Sequence, residues 1–356
     1  MPTHTLPLTF DLFNLEKAQS VFSNKALPPI WTPLSGGNLN YVWRWGIFPN
    51  SVIVKQTPPF IAAAPKHPFN QDRHHFERQA LTFLNTPPPS LPHNPQIHLP
   101  VVLAHDAPSA VLVLSDFGPS PALGSANVQA GFDPVLGKNL GLFIKELHLS
   151  TLKNKYLLLN HNNCTVQETR FEIQYRFIGQ QALTHKLPHA PEIQAAAHHL
   201  GEVFLQEGIC LIMGDLWPAS LLVLAQGLAV IDWELSHYGQ PAQDVGHLAA
   251  HLWMLYHRNQ NPHFRMRIQQ FWQGFIEMYF YQNPVFDLNQ QLRAIQHLGA
   301  EIMARTIGAF RSGSAYEGLS VHHPVQQEAL QFATNCLLEN DLSLQQMFSP
   351  FHIPYF

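Results

Sequence analysis

The pattern of apolar residues changes at a segment rich in Gly, Pro and Ser, residues 118–134. Before this segment, short runs of β-branched and aromatic residues predict strands, and the turn residues between the runs 41–45 and 51–55 predict a hairpin. After it, apolar residues recur every three to four positions, as they do in amphipathic helices. We therefore predict an α+β fold of two lobes, a small β-rich lobe over residues 1–117 and a larger helical lobe over residues 118–356.

Each lobe also contains one element of the other type. In the first lobe, residues 72–84 have a helical period with Asp72 as candidate N-cap, and a run of prolines follows. In the second lobe, the apolar runs 221–224 and 228–231 predict a hairpin. The remaining predicted elements are strands at 99–104 and 110–115, and helices at 135–149, 166–183, 191–207 and beyond 242.

The composition is that of a folded globular protein. Hydrophobic residues make up 46% of the 356 residues, which is enough for a buried core and excludes a disordered chain. The formal net charge of −4 argues against a nucleic-acid-binding protein with a strongly basic field. No apolar run reaches the ~18–20 residues that a membrane span needs. Three widely spaced cysteines predict neither a disulfide framework nor a thiolate metal site, so we expect a cytoplasmic protein.

The 22 histidines include two pairs spaced four residues apart, His185/His189 and His247/His251. On a helix this spacing places two rings on one face, as zinc ligands require. The composition alone produces about one or two such pairs. Because neither a following glutamate nor an evident third ligand accompanies His247 and His251, we predict no metal site there.

A glycine-containing turn precedes the first predicted hairpin. Gly36, Gly37 and Asn38 lie in this turn, and two adjacent glycines let backbone amides approach an anionic ligand. A tight turn that leads into a strand has a similar sequence. Contact with phosphate and a purely structural turn therefore both remain open.

Two charged residues follow on the next elements. Lys55 is the last residue of an apolar strand, so its side chain points either to a polar partner or to water. Glu77 lies in the helix predicted after that strand, where its carboxylate would hold a lysine ammonium by a charge-assisted hydrogen bond or face solvent. The two residues are either a pair or two separate surface charges.

Asp215 and Asp232 flank the hairpin predicted in the second lobe. Each lies next to an apolar strand, so the hairpin brings the two carboxylates near each other. Two such acids repel each other unless a cation lies between them or one of them is protonated. A magnesium ion together with a substrate hydroxyl would satisfy both, and this interpretation is favoured over two structural caps.

These features follow one another in an order that resembles the machinery of eukaryotic-type kinases. Their spelling is more similar to the aminoglycoside phosphotransferase and choline-kinase-like superfamily, which has H-G-D-x-x-x-x-N and then [IV]-D-[WFP]-E. In this chain the motifs read Met213-Gly214-Asp215 with Ser220, and Ile231-Asp232-Trp233-Glu234. Asp116 begins a D-F-G triplet but precedes Asp215, so we interpret it as a hinge residue near the adenine site.

Within this superfamily the chain most resembles the methylthioribose kinase branch. The resemblance touches about residues 33–312, and its stretches are 37–42, 52–56, 232–239 and 299–305. Ser220 stands where methylthioribose kinases also have serine. Two residues depart from the family patterns, since Met213 replaces a histidine and Ala304 replaces the first arginine of a pair.

The resemblance implies a role for each candidate residue. ATP would bind the first lobe through Gly36, Gly37, Asn38, Lys55, Glu77 and Asp116. In this site Lys55, held by Glu77, would contact the α- and β-phosphates.

The second lobe would supply the chemistry. Asp232, with Glu234 and Ser220, would hold Mg2+. Asp215 would accept the proton of the acceptor hydroxyl, and Arg305 would stabilise charge on the transferred phosphoryl group or serve as a structural arginine.

We therefore expect an ATP- and magnesium-dependent kinase that acts on a hydroxyl of a small, sugar-like molecule such as methylthioribose. Ketosamines, amino alcohols and aminoglycosides are alternative acceptors, and a pseudokinase that binds ATP without turnover is an alternative of another class. A protein kinase is disfavoured because no A-P-E segment follows Asp232. The resemblance and the few charged residues favour a homodimer. Asp244 matches a superfamily aspartate that braces the active-site loops.

Overall fold

The structure is a computed structural model of the chain. It describes residues 30–34, 37–86, 94–125, 131–311 and 314–338. Gly36, one of the candidate phosphate-binding residues, lies outside these ranges.

A five-stranded antiparallel sheet forms the first lobe, with its strands in the order β1-β2-β3-β8-β7. These strands are β1 (Trp31–Pro33), β2 (Tyr41–Ile47), β3 (Asn50–Gln56), β7 (Val102–Asp106) and β8 (Val111–Ser115). Between β3 and β7 the chain forms β4 (Phe60–Ile61), β5 (Ala64–Pro68), helix α1 (Arg73–Asn85) and β6 (Ile97–His98). The predicted hairpin is present as β2 and β3, with Ile47 opposite Asn50.

The alternation of side chains along β3 explains why Lys55 is buried. Val52 and Val54 belong to a buried cluster on one face of the sheet, so Lys55 lies on the other face. Lys55 is directly opposite Leu112 of β8, and Leu112 shares a buried cluster with Leu81 of α1. Lys55 therefore points beneath helix α1 rather than into water.

Two details of the first lobe differ from the prediction. Asp72 immediately precedes α1, but its side chain makes no capping hydrogen bond, and its own N–H donates to Asn70 Oδ1 at 2.7 Å. The strand predicted at 99–104 begins only at Val102. Pro100 has no N–H to donate to a strand neighbour, which disfavours an earlier start.

Helices dominate the second lobe. They are α2 (Pro134–Ser150), α3 (Lys155–Asn160), α4 (Cys164–Arg170), α5 (Phe177–Thr184), α6 (Ala190–Phe204), α7 (Pro241–Arg258), α8 (Pro262–Phe280), α9 (Leu288–Thr306) and α10 (Pro324–Leu338). The helix predicted at 166–183 is interrupted by a π-helical segment, Phe171–Arg176. Helix α3 was not predicted because six residues are too few to show a helical period. No helix in the described ranges is both long enough and apolar enough to cross a bilayer.

Short β-ladders hold the segments that carry the two candidate aspartates. The strands are β9 (Cys210–Ile212), β10 (Leu221–Leu224), β11 (Gly227–Val230) and β12 (His237–Gly239). The predicted hairpin is present as β10 and β11, and β6 of the first lobe pairs in parallel with β11. Strands β9 and β12 pair with each other, and three residues each are too few to predict. Asp215 therefore lies between β9 and β10, and Asp232 between β11 and β12.

Candidate active site

Lys55 lies at the centre of a group of carboxylates. Its Nζ atom is 2.9 Å from Glu77 Oε2, 2.9 Å from Asp232 Oδ1 and 3.5 Å from Glu234 Oε1. Only 3% of the lysine side chain is exposed. Strand β3, helix α1 and the segment after β11 thus meet at one ammonium group, and Lys55 and Glu77 form a pair rather than two surface charges.

Arg73 is a second buried cation, which sequence reasoning missed. Its Nε donates to Glu234 Oε2 at 2.9 Å, and its Nη2 donates to the carbonyl oxygen of Leu39 at 2.9 Å. Asn40 Nδ2 donates to the other carboxylate oxygen of Glu234 at 2.6 Å, so both oxygens of Glu234 are fixed. Arg73 precedes Glu77 by four residues on one helix face, and this spacing was the available signal.

The group contains more negative than positive charge. Three carboxylates, of Glu77, Asp232 and Glu234, face the two cations Lys55 and Arg73. Burial lowers the pKa of Lys55, but the neighbouring carboxylates, Asp232 foremost, raise it by more, to well above its usual value. Burial raises the pKa of Glu77 to about 7, against the opposing charge of Lys55. The excess of carboxylates thus favours the charged form of Lys55, and it adds to the effect of burial in raising the pKa of Glu77.

One carboxylate of this group is accessible enough to serve as a ligand of a divalent cation. Asp232 is the exposed member of the group, with 41% of its side chain accessible, and it contacts Lys55 through Oδ1. Carboxylate oxygens are ligands that Mg2+ prefers. A divalent ion would also offset the excess of negative charge around Lys55.

Asp215 lies in a tight loop after β9. Gly214 precedes it with a φ of 81°, and a Cβ atom at Gly214 would overlap the carbonyl oxygen of Leu235, so this turn requires glycine. The Asp215 side chain is 22% exposed, and its Oδ1 lies 3.2 Å from His247 Nε2. Burial alone would raise the pKa of Asp215, but its contact with His247 and the charge of Arg305 lower it below its usual value. Asp215 is therefore ionised and partly accessible, as a proton acceptor requires.

The backbone of this loop is braced by buried polar groups. Asp244 accepts hydrogen bonds from Met213 N at 2.9 Å and from Gly214 N at 2.8 Å. Arg170 Nη1 donates to the carbonyl oxygen of Gly214 at 2.8 Å. Asp244 thus has the bracing contacts that the resemblance implies. Met213, which replaces the family histidine, is fully buried.

Ser220 connects the two aspartate segments. Its hydroxyl donates to the carbonyl oxygen of Asp215 at 3.0 Å, and its carbonyl oxygen accepts from Ile231 N at 2.9 Å. Ile231 is followed directly by Asp232. Asp215 and Asp232 therefore lie on chain segments that enter and leave the same end of the β10–β11 hairpin.

Arg305 of helix α9 lies on the Asp215 side of the site. Its Nε donates to Glu301 Oε1 at 2.6 Å. Its guanidinium carbon is 5.1 Å from the ring centre of Trp217 and 5.3 Å from that of Phe310. These contacts fix the position of a cation whose charge reaches the Asp215 carboxylate.

Asp116 fastens the first lobe at the end of β8. Arg44 donates to both of its oxygens, at 2.6 and 3.0 Å, and Ser51 Oγ donates at 2.6 Å. Burial raises the pKa of Asp116, but the hydrogen bonds from Arg44 and Ser51 lower it by more. Both oxygens of the Asp116 carboxylate are thus bonded to side chains of β2 and β3. Gly37 and Asn38 are exposed in the turn before β2.

A family model described as "Phosphotransferase enzyme family" matches residues 30–281. The chain belongs to this family. Curated relatives include a 4-hydroxytryptamine kinase of Psilocybe cyanescens, 25% identical over 60% of this chain and 64% of that protein. A methylthioribose kinase of Bacillus pumilus is 25% identical over 65% of this chain and 62% of that protein. A methylthioribose kinase of Bacillus cereus is 23% identical over 77% of this chain and 78% of that protein. The chain therefore spans a little less than two thirds of the length of the first two relatives.

Solved structures of small-molecule kinases are similar to this chain in fold. Amicoumacin kinase hAmiN, in complex with AMP-PNP, Ca2+ and Ami, is similar with a TM-score of 0.54, at 15% identity over 95% of this chain and 97% of that chain. A choline/ethanolamine kinase family protein from Mesorhizobium loti has a TM-score of 0.52, at 11% identity over 95% and 98%. The predictions of the superfamily and of the two-lobed α+β fold are confirmed.

Proposed function

We propose that the protein transfers the γ-phosphoryl group of ATP to a hydroxyl of a small molecule. The observation that carries the proposal is the pair of groups at one end of the β10–β11 hairpin. There, Asp232 forms an ion pair with the buried Lys55. The ionised Asp215 lies on the other segment at this end of the hairpin. Most of the rate in such a transfer comes from positioning and from neutralising charge.

The first lobe, residues 1–117, would bind the nucleotide. Lys55, oriented by Glu77, would contact the α- and β-phosphates, and the turn with Gly36, Gly37 and Asn38 would close over them. Asp116 would support the adenine end by fastening β2, β3 and the hinge rather than by direct contact, since Arg44 and Ser51 hold its carboxylate.

Asp232 would be the principal ligand of Mg2+. The ion, when bound, would neutralise charge on the phosphates. Both oxygens of Glu234 already accept hydrogen bonds, from Asn40 and Arg73. Glu234 would therefore orient these two side chains next to the metal site. Ser220 would set the spacing of the two aspartate segments.

Asp215 would hold the acceptor hydroxyl in line with the γ-phosphorus of ATP. It would accept the proton of this hydroxyl as the hydroxyl oxygen attacks the phosphorus and ADP leaves. Arg305, fixed by Glu301 and Trp217, would stabilise negative charge on the moving phosphoryl group.

For the acceptor we propose methylthioribose first, because the resemblance and several relatives point to it. Other sugars, ketosamines, amino alcohols and aminoglycosides remain alternatives. The relative named 4-hydroxytryptamine kinase, together with the partly exposed ring of Trp217 beside Arg305, favours an aromatic alcohol as a second candidate.

ADP release by the purified protein with Mg-ATP and 5-methylthioribose tests the proposal. Asp215→Asn should lower turnover by about 10²–10⁴-fold while ADP affinity stays unchanged. Asp133→Asn is a matched control, because Asp133 caps helix α2 and asparagine caps equally well. Equal loss of turnover and ADP affinity in Asp215→Asn would contradict the role of Asp215. If the protein binds ADP but produces none from Mg-ATP with any class of acceptor, the pseudokinase alternative would be favoured.

A further inference from the structure

His247 is a buried residue beside Asp215 to which the proposed reaction assigns no role. It lies on helix α7, and its Nε2 is 3.2 Å from Asp215 Oδ1. Within the described residues, Nε2 is buried and has no hydrogen-bond partner of standard geometry, and Asp215 Oδ1 is the carboxylate oxygen within reach of it. Its Nδ1 lies 3.9 Å from Glu301 Oε2. The imidazole ring is therefore placed between two carboxylates, one of them the proposed proton acceptor.

The ring has little freedom to turn away from Asp215. His251, one helical turn later, packs against it with ring centres 4.9 Å apart, and Trp217 packs against His251 at 4.8 Å. Gly246, the residue before His247, lets α7 approach α9 so closely that an added Cβ would overlap the carbonyl oxygen of Ala294. Packing between the helices thus fixes the backbone that carries His247.

A metal ion is the first alternative for this group. One ligand atom from each of His247, His251 and Glu301 lies within 4.8 Å of the others, which is close enough for shared coordination. However, Arg305 Nε and Gln174 Nε2 each donate to a Glu301 oxygen at 2.6 Å. A guanidinium at that distance repels a second cation. The contacts favour a hydrogen-bonded network over a metal site.

We infer that His247 is a positioning residue for Asp215, in that its Nε2–H holds Asp215 Oδ1 and leaves Oδ2 to accept the proton of the acceptor hydroxyl. This inference rests on the proposed kinase function. Glu301 Oε2 lies on the other side of the ring, 3.9 Å from Nδ1, which is beyond hydrogen-bond distance. Fixing the carboxylate in one orientation is the kind of support that a reacting group needs from its surroundings. The short distance between Nε2 and Oδ1 is the observation that carries the inference.

The electrostatic consequence has a definite sign. The charged and titratable groups that face this pair are Arg170, Glu301, Arg305, His251 and His297. Burial raises the pKa of Asp215, and the contact with His247 is the largest of the effects that lower it. Without His247 the pKa of Asp215 rises, so the acid limb of the kcat/KM profile moves to higher pH.

Three variants test the inference. His247→Leu removes the donor, His247→Gln keeps an N–H donor at about the reach of Nε2, and His257→Leu is a control. His257 lies on the same helix and is also buried, but it bonds Tyr316 at 2.8 Å instead of Asp215.

His247→Leu should lower kcat by about 10–100-fold and leave the KM for ATP unchanged. It should also move the acid limb of the kcat/KM profile to higher pH. His247→Gln should recover most of kcat, and His257→Leu should change neither kcat nor the limb. Equal losses in His247→Leu and His247→Gln, or an unmoved acid limb, would overturn the inference, because a merely structural role predicts that result.

A second readout separates this inference from the proposed function. If the wild-type protein phosphorylates none of the acceptors, the proposed function fails, but the contact is still measurable by ¹⁵N NMR of the imidazole rings. Comparison with His247→Gln assigns the His247 resonances. Asp215→Asn should shift the Nε2 resonance of His247 and leave that of His257 unchanged. An unshifted His247 resonance would overturn the positioning role whatever the activity.

Discussion

Lys55 Nζ lies 2.9 Å from Asp232 Oδ1, so an ion pair joins the sheet of the first lobe to the loop after the β10–β11 hairpin. In the proposed reaction each partner has another task, the lysine on phosphate oxygens and the aspartate on the metal ion. Binding of Mg-ATP would therefore exchange this pair for two contacts with the ligand. The pair keeps both charges compensated until then, which a buried ammonium requires.

The first prediction concerns the metal. Asp232→Asn should reduce the gain in ADP affinity that Mg2+ produces by about tenfold or more, since a contact with a charged group contributes about 1.5–3 kcal/mol. Titration calorimetry of ADP with and without Mg2+ measures this gain. Asp72→Asn is a control, because Asp72 is exposed and its side chain makes no capping bond. An unchanged Mg2+ effect in Asp232→Asn would place the metal elsewhere.

The second prediction concerns Glu234. Glu234→Gln leaves the buried Arg73 without its carboxylate, and breaking a buried pair costs about 3–5 kcal/mol. The free energy of unfolding in urea should fall by that amount. Glu172→Gln is the matched control, because Glu172 pairs with Arg176 where both are about half exposed, and such pairs contribute about 0–1 kcal/mol. Similar losses in the two variants would show that the pair of Arg73 and Glu234 contributes no more than an exposed ion pair.

The sequence identifies candidate residues of the site more readily than the contacts between them. Asp215 and Asp232 each stand beside an apolar strand, where a charge needs an explanation, whereas Lys55 and Glu77 taken alone were open between a pair and two surface charges. Their order along the chain then matched a family. The contact between Lys55 and Asp232 spans 177 residues, and it forms only because the segment after β11 packs against the first lobe.

Other features were missed for identifiable reasons. Arg73 was overlooked because an arginine in the first turn of an amphipathic helix ordinarily faces solvent. His247 was set aside because histidines are so frequent in this chain that their spacing carries little information. Its neighbour Glu301 comes from helix α9, more than fifty residues later, and no periodic pattern relates the two.

The third prediction concerns Asp244, whose two oxygens accept the N–H groups of Met213 and Gly214. Asp244→Asn replaces one acceptor oxygen by an NH2 group, so one buried N–H loses its partner at a cost of about 1–3 kcal/mol. The loop that carries Asp215 should loosen, so kcat should fall while ADP affinity is retained. Steady-state kinetics and ADP calorimetry measure the two effects. Loss of ADP affinity with unchanged kcat would contradict the bracing role.

The last prediction concerns buried histidines. Burial lowers the pKa of His161 and of His297 to about 3, and that of His237 and of His251 to about 4. The ordinary value is 6.5, so the folded chain holds these rings neutral while the unfolded chain protonates them in mild acid. A depressed pKa of this kind contributes stability above pH 6.5, which is lost as the pH falls towards 4 and 3.

The free energy of unfolding should therefore decrease steeply between pH 6.5 and 4, and each such histidine adds up to about 1.4 kcal/mol per pH unit to the slope. Urea unfolding at several pH values measures this slope. His161→Gln should reduce it, since glutamine keeps a partner for Ser236 Oγ, 2.9 Å from His161 Nε2, without taking up a proton. His263→Gln, at an exposed position on α8, should leave the slope unchanged. Equal slopes in wild type and His161→Gln would mean that His161 is not held neutral by burial.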